Sequence, residues 1–280
     1  MRRSGLTLIA MTVCLVLGTA SSLDAAAQPA PQEAAFLGMA VGTGISGDPQ
    51  GLTDIQGIHN AIRAERLPVT EDLQIYTRWS GTGTHAVAVR VRQASTGSIL
   101  RDTQDELDFG AERVTWFEHD FSGLTFREAG AYLVEAVLDG KTVATYALYV
   151  DMSDHLADEP AFVLSVPAER GWVDAAGNAN VAGIFEYFSF DGFPATESFR
   201  VVTVWFSGDG SFDHTVRISD ARGATVAQSG RGILSAAAGR MAVSEDNFYS
   251  VAFPSAGLYT ATIYLNDAAV TSFPVVIKGR

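Results

Sequence analysis

Three short clusters in the sequence carry residue types able to do chemistry. Gly42-x-Gly44-x-x-Gly47 follows the apolar run Phe36 to Val41 with the spacing of a dinucleotide fingerprint, whose glycines bring backbone close to a pyrophosphate seated on a helix N-terminus. Asp48-Pro49-Gln50-Gly51 stands where that helix must begin, so a hairpin is expected. Asp209-x-Ser211-x-Asp213 places oxygen ligands at alternate positions as a calcium loop does, and Asp220 falls at the closing position. His214 occupies the place of the turn glycine, and a hairpin turn is again the plainer reading. Asp209 and Asp213 stay as calcium candidates, together with Asp151, Asp154 and Asp158 of an acidic stretch that could hold the ion between domains or simply be a solvated linker. Glu118-His119-Asp120 has the types of an acid-base trio, but on a strand His119 points away from both neighbours and shares a face with Phe117 and Phe121. A glycosidase would need two facing carboxylates, and Glu118 with Asp120 or Glu186 with Asp191 would be tried first. His59, His85, His155 and His214 are scattered, and the chain has neither a His-x-x-x-His, a cysteine pair nor a Gly-x-Ser-x-Gly elbow. No cofactor and no enzymatic activity are expected, although a triad assembled from distant positions is invisible to local spacing.

Strands must position these residues, because a period of two runs through the chain. Leu73, Ile75, Thr77 and Trp79 share one face, and so do Phe199, Val201, Thr203 and Trp205. Val87, Val89 and Val91 alternate with Ala88, Arg90 and Arg92, as on a sheet with one wet face. Ile55, Ile58 and Ile62 have helical spacing by themselves. Their counterpart, Gly183 to Phe190, is rich in aromatics that suit a pleated surface, and both segments are read as strands. Asp139-Gly140 and Asn266-Asp267 supply the positive φ angles of tight hairpin turns before the last strands.

That counterpart belongs to a repeat. One constant shift carries Gly57-Ile58 onto Gly183-Ile184, Pro68 onto Pro194 and Trp79 onto Trp205. With one residue of adjustment, Val89-Arg90-Val91 meets Val216-Arg217-Ile218, and Gly130-Ala131-Tyr132 meets Gly257-Leu258-Tyr259. A unit this long is domain-sized. The expected fold is all-β: two tandem antiparallel β-sandwiches, residues 36–152 and 161–280, joined by an acidic linker at 153–160. The Gly-x-Tyr before the final hairpin resembles the tyrosine corner of immunoglobulin-like domains, which assigns Tyr132 and Tyr259 to that corner and Trp79 and Trp205 to the space between sheets. Antibody domains carry a cysteine pair that neither copy has, so this resemblance concerns architecture alone.

The repeated landmarks also resemble a bacterial family of β-sandwich proteins, domain of unknown function 6941. They are Gly183-Ile184-Phe185, Phe193-Pro194-Ala195, Val216-Arg217-Ile218 before Asp220-Ala221-Arg222-Gly223, and Ala256-Gly257-Leu258-Tyr259 before Asn266-Asp267. Gly57-Ile58, Leu67-Pro68 and Gly130-Ala131-Tyr132 echo them in the first copy. The resemblance implies a fold and brings no catalytic residue with it.

Composition sets the location and the excluded functions. Of 280 residues 47% are apolar and 18% charged, with a formal net charge of −13, which is a chain with cores to bury and a surface that repels phosphate backbones and anionic lipid. Arg2 and Arg3 precede an apolar run from Leu6 to Ala20 and a small-residue site at Ala25-Ala26-Ala27, the pattern of a secretory signal peptide over residues 1–27. Residues 28–35 are then a flexible mature N-terminus. The single Cys14 lies inside the apolar run, lacks the small residue a lipoprotein site needs before it, and leaves a mature chain without cysteine. No membrane span is expected. The reading is a periplasmic or extracellular, non-catalytic protein that binds a protein or polysaccharide partner. The alternative is a carbohydrate-active enzyme or its binding module. Tyr76, Arg78, Trp172, Tyr187 and Phe206 are the contact candidates, being aromatic or Arg and placed outside the expected core.

Overall fold

The computed structural model describes residues 34–47, 52–109, 114–151, 160–206 and 208–280. The leader-like segment, residues 28–33, Asp154, Asp158 and the remainder of 152–159 lie outside the described residues. Among the described residues there is no helix, and hence none long and apolar enough to cross a membrane.

The first copy contributes β1 (Ala35–Gly42), β2 (Gly44–Gly47), β3 (Thr53–Ile58), β4 (Ala61–Ile62), β5 (Val69–Ser80), β6 (Thr84–Gln93), β7 (Ile99–Asp102), β8 (Asp105–Asp108), β9 (Val114–Phe126), β10 (Gly130–Leu138) and β11 (Lys141–Val150). The second repeats the series as β12 (Ala161–Pro167), β13 (Arg170–Val173), β14 (Ala179–Ile184), β15 (Tyr187–Phe190), β16 (Ala195–Phe206), β17 (Gly210–Ser219), β18 (Thr225–Gln228), β19 (Gly232–Ala236), β20 (Met241–Phe253), β21 (Gly257–Leu265) and β22 (Ala268–Gly279). Each copy is a sandwich of a three-stranded sheet, β1-β5-β9 or β12-β16-β20, on a larger one, β4-β11-β10-β6-β7 or β15-β22-β21-β17-β18, with β8 and β19 extending β6 and β17. The short β4 and β15 run parallel to the last strand of their copy, and the other pairings are antiparallel. This is the immunoglobulin-like plan with, among the described residues, no fourth strand beside β9 or β20.

Alternation puts Ile75, Trp79, Val89, Val91, Tyr132 and Val134 in one core and Val201, Trp205, Val216, Ile218 and Tyr259 in the other, all buried. Trp79 and Trp205 are fully buried. Tyr132 donates its phenol hydrogen to the Glu128 carbonyl at 2.9 Å, and Tyr259 donates to Ser255 at 3.0 Å, so both corners tie their strand to the preceding connection. Positive φ at Asp139, Gly140, Asn266 and Asp267 makes the two closing hairpin turns.

Four strands belong to neither sandwich. The hairpin β2-β3 and its equivalent β13-β14 join edge to edge into one sheet, β13-β14-β3-β2. Val181 pairs with Ile55, its own equivalent, while Ala179 pairs with Ile58 and Ile184 with Thr53. A local two-fold therefore passes between Ile55 and Val181. Side chains obey it too: Gly57 donates its N–H to Asn180 Oδ1 at 2.9 Å, and Gly183 donates to Asp54 Oδ1 at 2.8 Å. Both glycines have positive φ, and a Cβ on either would run into the Thr43 or Glu169 side chain. Asp54→Ala and Asn180→Ala are each expected to cost about 1–3 kcal/mol, since each strands a backbone donor. Urea unfolding of the two variants and their combination measures it.

The outer faces of β5 and β16 are covered by this arrangement. Gly38 lets Leu164 approach so closely that a Cβ there would lie 2.8 Å from its Cδ1, and Val166, Val202 and Val204 join the first copy's core. Three contact candidates are thereby corrected: Tyr76, Arg78 and Phe206 are buried, because the copies pack back to back. Phe206 stacks on Tyr149, with ring centroids 6.0 Å apart.

Candidate functional site

Among the described residues the calcium candidates do not assemble, and Asp154 and Asp158 lie outside them. β17 runs through the supposed loop, and Asp213 and Asp220 are separated by most of that strand, about 20 Å at the usual rise per residue. Asp213 is bound by Arg231 at 3.0 Å, and Asp220 accepts the N–H groups of Arg222 and Ala224 in its own turn. Among the described residues, Asp151 and Asp209 included, no three His, Cys, Asp or Glu side chains converge on a common point. The glycine fingerprint forms β1, β2 and the turn between them, with no helix after it among the described residues.

The carboxylate pairs are equally occupied. Glu118 and Asp120 sit side by side on β9, and both accept from Gln74 Nε2, at 2.6 and 2.9 Å. Burial and the neighbouring Asp120 raise the Glu118 carboxyl above its ordinary range. Two carboxylates on one strand face do not flank a substrate from opposite sides. Glu186 is 2.9 Å from Arg78 Nε and receives the Tyr76 hydroxyl at 3.4 Å. Asp191 lies 3.5 Å from the Arg280 guanidinium.

A hydroxyl-imidazole-carboxylate series does occur, built from residues distant in sequence. Ser244 Oγ lies 3.2 Å from His214 Nε2, His214 Nδ1 lies 3.0 Å from Asp246 Oδ2, and Ser229 donates to Asp246 Oδ1 at 2.7 Å. Trp205 Nε1 donates to the same Ser244 oxygen at 3.1 Å. The first copy holds a matching set: Trp79 donates to Thr77, Thr77 contacts His119 Nε2 at 3.3 Å, and His119 Nδ1 reaches Thr103 at 3.1 Å and Asp105 at 3.4 Å. Thr103 and Ser229 each accept a backbone N–H from the strand opposite, Val89 or Val216. Two copies with different residues but the same anchors point to a polar seam that ties the sheets together where a fourth strand is missing. Thr77 and His119 are buried, out of reach of a substrate. Asp246 Oδ2 lies 3.0 Å from His214 Nδ1 but out of line for a hydrogen bond.

One surface distinguishes the copies. A cleft of about 600 Å³ in the second sandwich is walled by β15, β16 and β20, with Phe185, Tyr187, Phe188, Arg200, Asn247 and Tyr249 among its lining. Its floor is an aromatic cluster in which Phe188 meets Phe185, Phe199 and Phe253, and Phe199 stacks on Phe248 at 4.9 Å. Tyr187 is 42% and Tyr249 79% exposed. Strand register makes Ala61 and Ser122 their equivalents in the first copy. Lys278 lies over the Tyr187 ring at 3.6 Å, and Arg200 is fixed by Asn247, Glu245 and the Glu169 carbonyl. The candidate Tyr187 thus belongs to this cleft. Trp172 is half-exposed elsewhere, under the Arg170 guanidinium. Tyr249 escaped the sequence reading, and the signal was the difference between copies, an aromatic where the first has Ser122.

The model of a family of unknown function, DUF6941, matches residues 37–151 and again 171–278. A search of curated proteins finds no match. Among solved structures, dimeric latent PorU from Porphyromonas gingivalis is similar over 88% of this chain at 9% identity and a TM-score of 0.32. Red sea bream transglutaminase is similar over 76% at 10% identity and 0.25, and the calcium binding domain CBD12 of CALX1.1 over 74% at 13% identity and 0.21. The chain spans 20% of PorU, 30% of the transglutaminase and 76% of the CALX1.1 chain. At these scores the likenesses carry no argument about function.

Proposed function

Because the chain belongs to the DUF6941 family, with one family domain at residues 37–151 and a second at 171–278, we propose a role for it from its own surfaces: an exported, non-catalytic protein of the periplasm or cell exterior that binds a macromolecular partner through its second sandwich. The carrying observation is the aromatic cleft, present in one copy with Tyr187 and Tyr249 on its rim and replaced in the other by Ala61 and Ser122. Aromatic rings with one face against the protein and one toward solvent are the usual anchors of an interface. The leader-like sequence at 1–27 and the absence of any later cysteine support export.

The test is capture from an envelope fraction with the purified protein and with a Tyr187→Ala/Tyr249→Ala double variant. Both substitutions are on exposed side chains, so melting should not change, while the captured partner should fall at least tenfold. Undiminished capture by the double variant overturns the assignment of the site. A covalent adduct on Ser244 after treatment with a fluorophosphonate overturns the non-catalytic part.

A further inference from the structure

We propose that β20 is the docking edge for an extended polypeptide segment of a partner, which adds to the sheet β12-β16-β20 as its fourth strand and alternates aromatic with basic side chains. The inference rests on the binding role given above and names the partner's chemistry.

The first support is an unpaired strand edge. β20 runs for 13 residues and, among the described residues, pairs only with β16, leaving its other side without a neighbour in the ladder. Native proteins ordinarily blunt such an edge with charges. The first copy has a charge, Glu106, and the small polar Ser122 exposed along the equivalent rim. The second copy places Tyr249 and Ile233 there, 79% and 72% exposed, which makes them the most exposed large apolar side chains among the described residues.

The second support is a pair of clefts along this edge. The aromatic cleft lies over β15 and β16 and reaches β20 at Asn247, Phe248 and Tyr249. A polar cleft of about 390 Å³, where a fourth strand would sit, is lined by His214, Ser229, Arg231, Ile233, Ser244 and Asp246. Asn247 and Tyr249 line both. Successive side chains of an added strand point alternately to the two sides, so main-chain hydrogen bonds hold it while the two clefts read every other residue. The aromatic side takes a ring. The polar side carries Asp246, whose buried Oδ2 lies 3.0 Å from His214 Nδ1 without an aligned hydrogen bond, on a wall that also carries Glu245, in a chain of formal net charge −13. Arg231 is engaged by Asp213 and Asp267, and Arg200 pairs with Glu245, so neither arginine is open to an incoming carboxylate and the acidic excess of the chain favours a donor such as Lys or Arg.

The probe is a nine-residue synthetic peptide alternating Tyr and Lys, measured by fluorescence anisotropy against the whole protein. Two further versions are N-methylated at every second residue, one on the odd and one on the even positions. Strand addition predicts that one methylated version loses at least tenfold in affinity while the other binds as before, since only one set of N–H groups faces β20. A protein variant carrying Tyr249→Ser and Ile233→Glu, the first copy's residues, should lose the unmodified peptide to the same extent without a change in melting. Equal binding of both methylated peptides, or no peptide binding at all, overturns strand addition. The binding role survives either result if the Tyr187→Ala/Tyr249→Ala variant still loses its envelope partner. Captured material that resists protease and yields to glycosidases identifies a polysaccharide occupant and overturns the proposal. So does a dimer of this chain that the Tyr249→Ser/Ile233→Glu variant dissolves.

Discussion

Replacing Glu186 by Gln is expected to destabilise the protein by about 3 kcal/mol, the lower end of the cost of breaking a buried ion pair by removing one partner. Arg78 is fully buried on β5, and its side chain is anchored only through Nε, 2.9 Å from Glu186, with the Phe273 ring 5.4 Å away. Nη1 and Nη2 find no hydrogen-bond partner among the described residues. The guanidinium cannot shed its proton, so Glu186 is what compensates it. Gln keeps the shape and the acceptor for Tyr76 while removing the charge. The lower end applies because the Glu186 side chain remains 15% exposed and water shares in its solvation. The companion variant decides the cause. Arg78→Met in the Glu186→Gln background removes the stranded charge and should restore most of the loss, much as Val204 serves at the equivalent place in the second copy. Guanidinium unfolding measures both. A loss below about 1 kcal/mol for Glu186→Gln would mean a solvated pair and would sink the account.

Acid should weaken the fold through His119. Burial pushes its pKa down to about 4 from an ordinary 6.5, with the carboxylates of Asp105 and Asp120 pulling the other way. The unfolded chain binds this proton near pH 6.5 and the folded one only near pH 4. Stability attached to the neutral ring is therefore complete above about pH 6.5 and lost as pH falls toward 4. The full span is worth about 3 kcal/mol. Thermal melts of the wild type and of His119→Gln across pH 4 to 7 should converge at the acid end, the variant showing the shallower dependence. Parallel pH profiles would remove His119 as the cause, since the other titrating groups are common to both proteins.

The elements that alternation specifies were legible in the sequence. Val87, Val89 and Val91 on β6 and Tyr132 and Val134 on β10 read as one-faced strands because their side chains are all buried in one core, and both tyrosine corners were visible from Gly-x-Tyr before a turn. The ambiguous Ile55, Ile58 and Ile62 are strands β3 and β4, as the aromatic counterpart implied. What stayed hidden depends on partners far along the chain. Gln74, Tyr76 and Arg78 have the composition of a surface, and their face is covered only because two hairpins from different copies pair. The clefts draw on β12, β15, β16, β17 and β20, and no window of sequence contains their geometry. Comparing the copies position by position was the available signal for Tyr249 and Ile233, since outward sites that are polar in one copy and apolar in the other mark a surface that has changed use.

The pairing of Ile55 with Val181 has a consequence for assembly. Contact between equivalent hairpins looks the same whether they come from one molecule or two, so only the covalent tether keeps the union internal. A tether sets a local concentration of one copy about the other. Below that, each chain closes on itself. Well above it, chains would exchange whole second sandwiches reciprocally and form a dimer whose every contact already exists in the monomer.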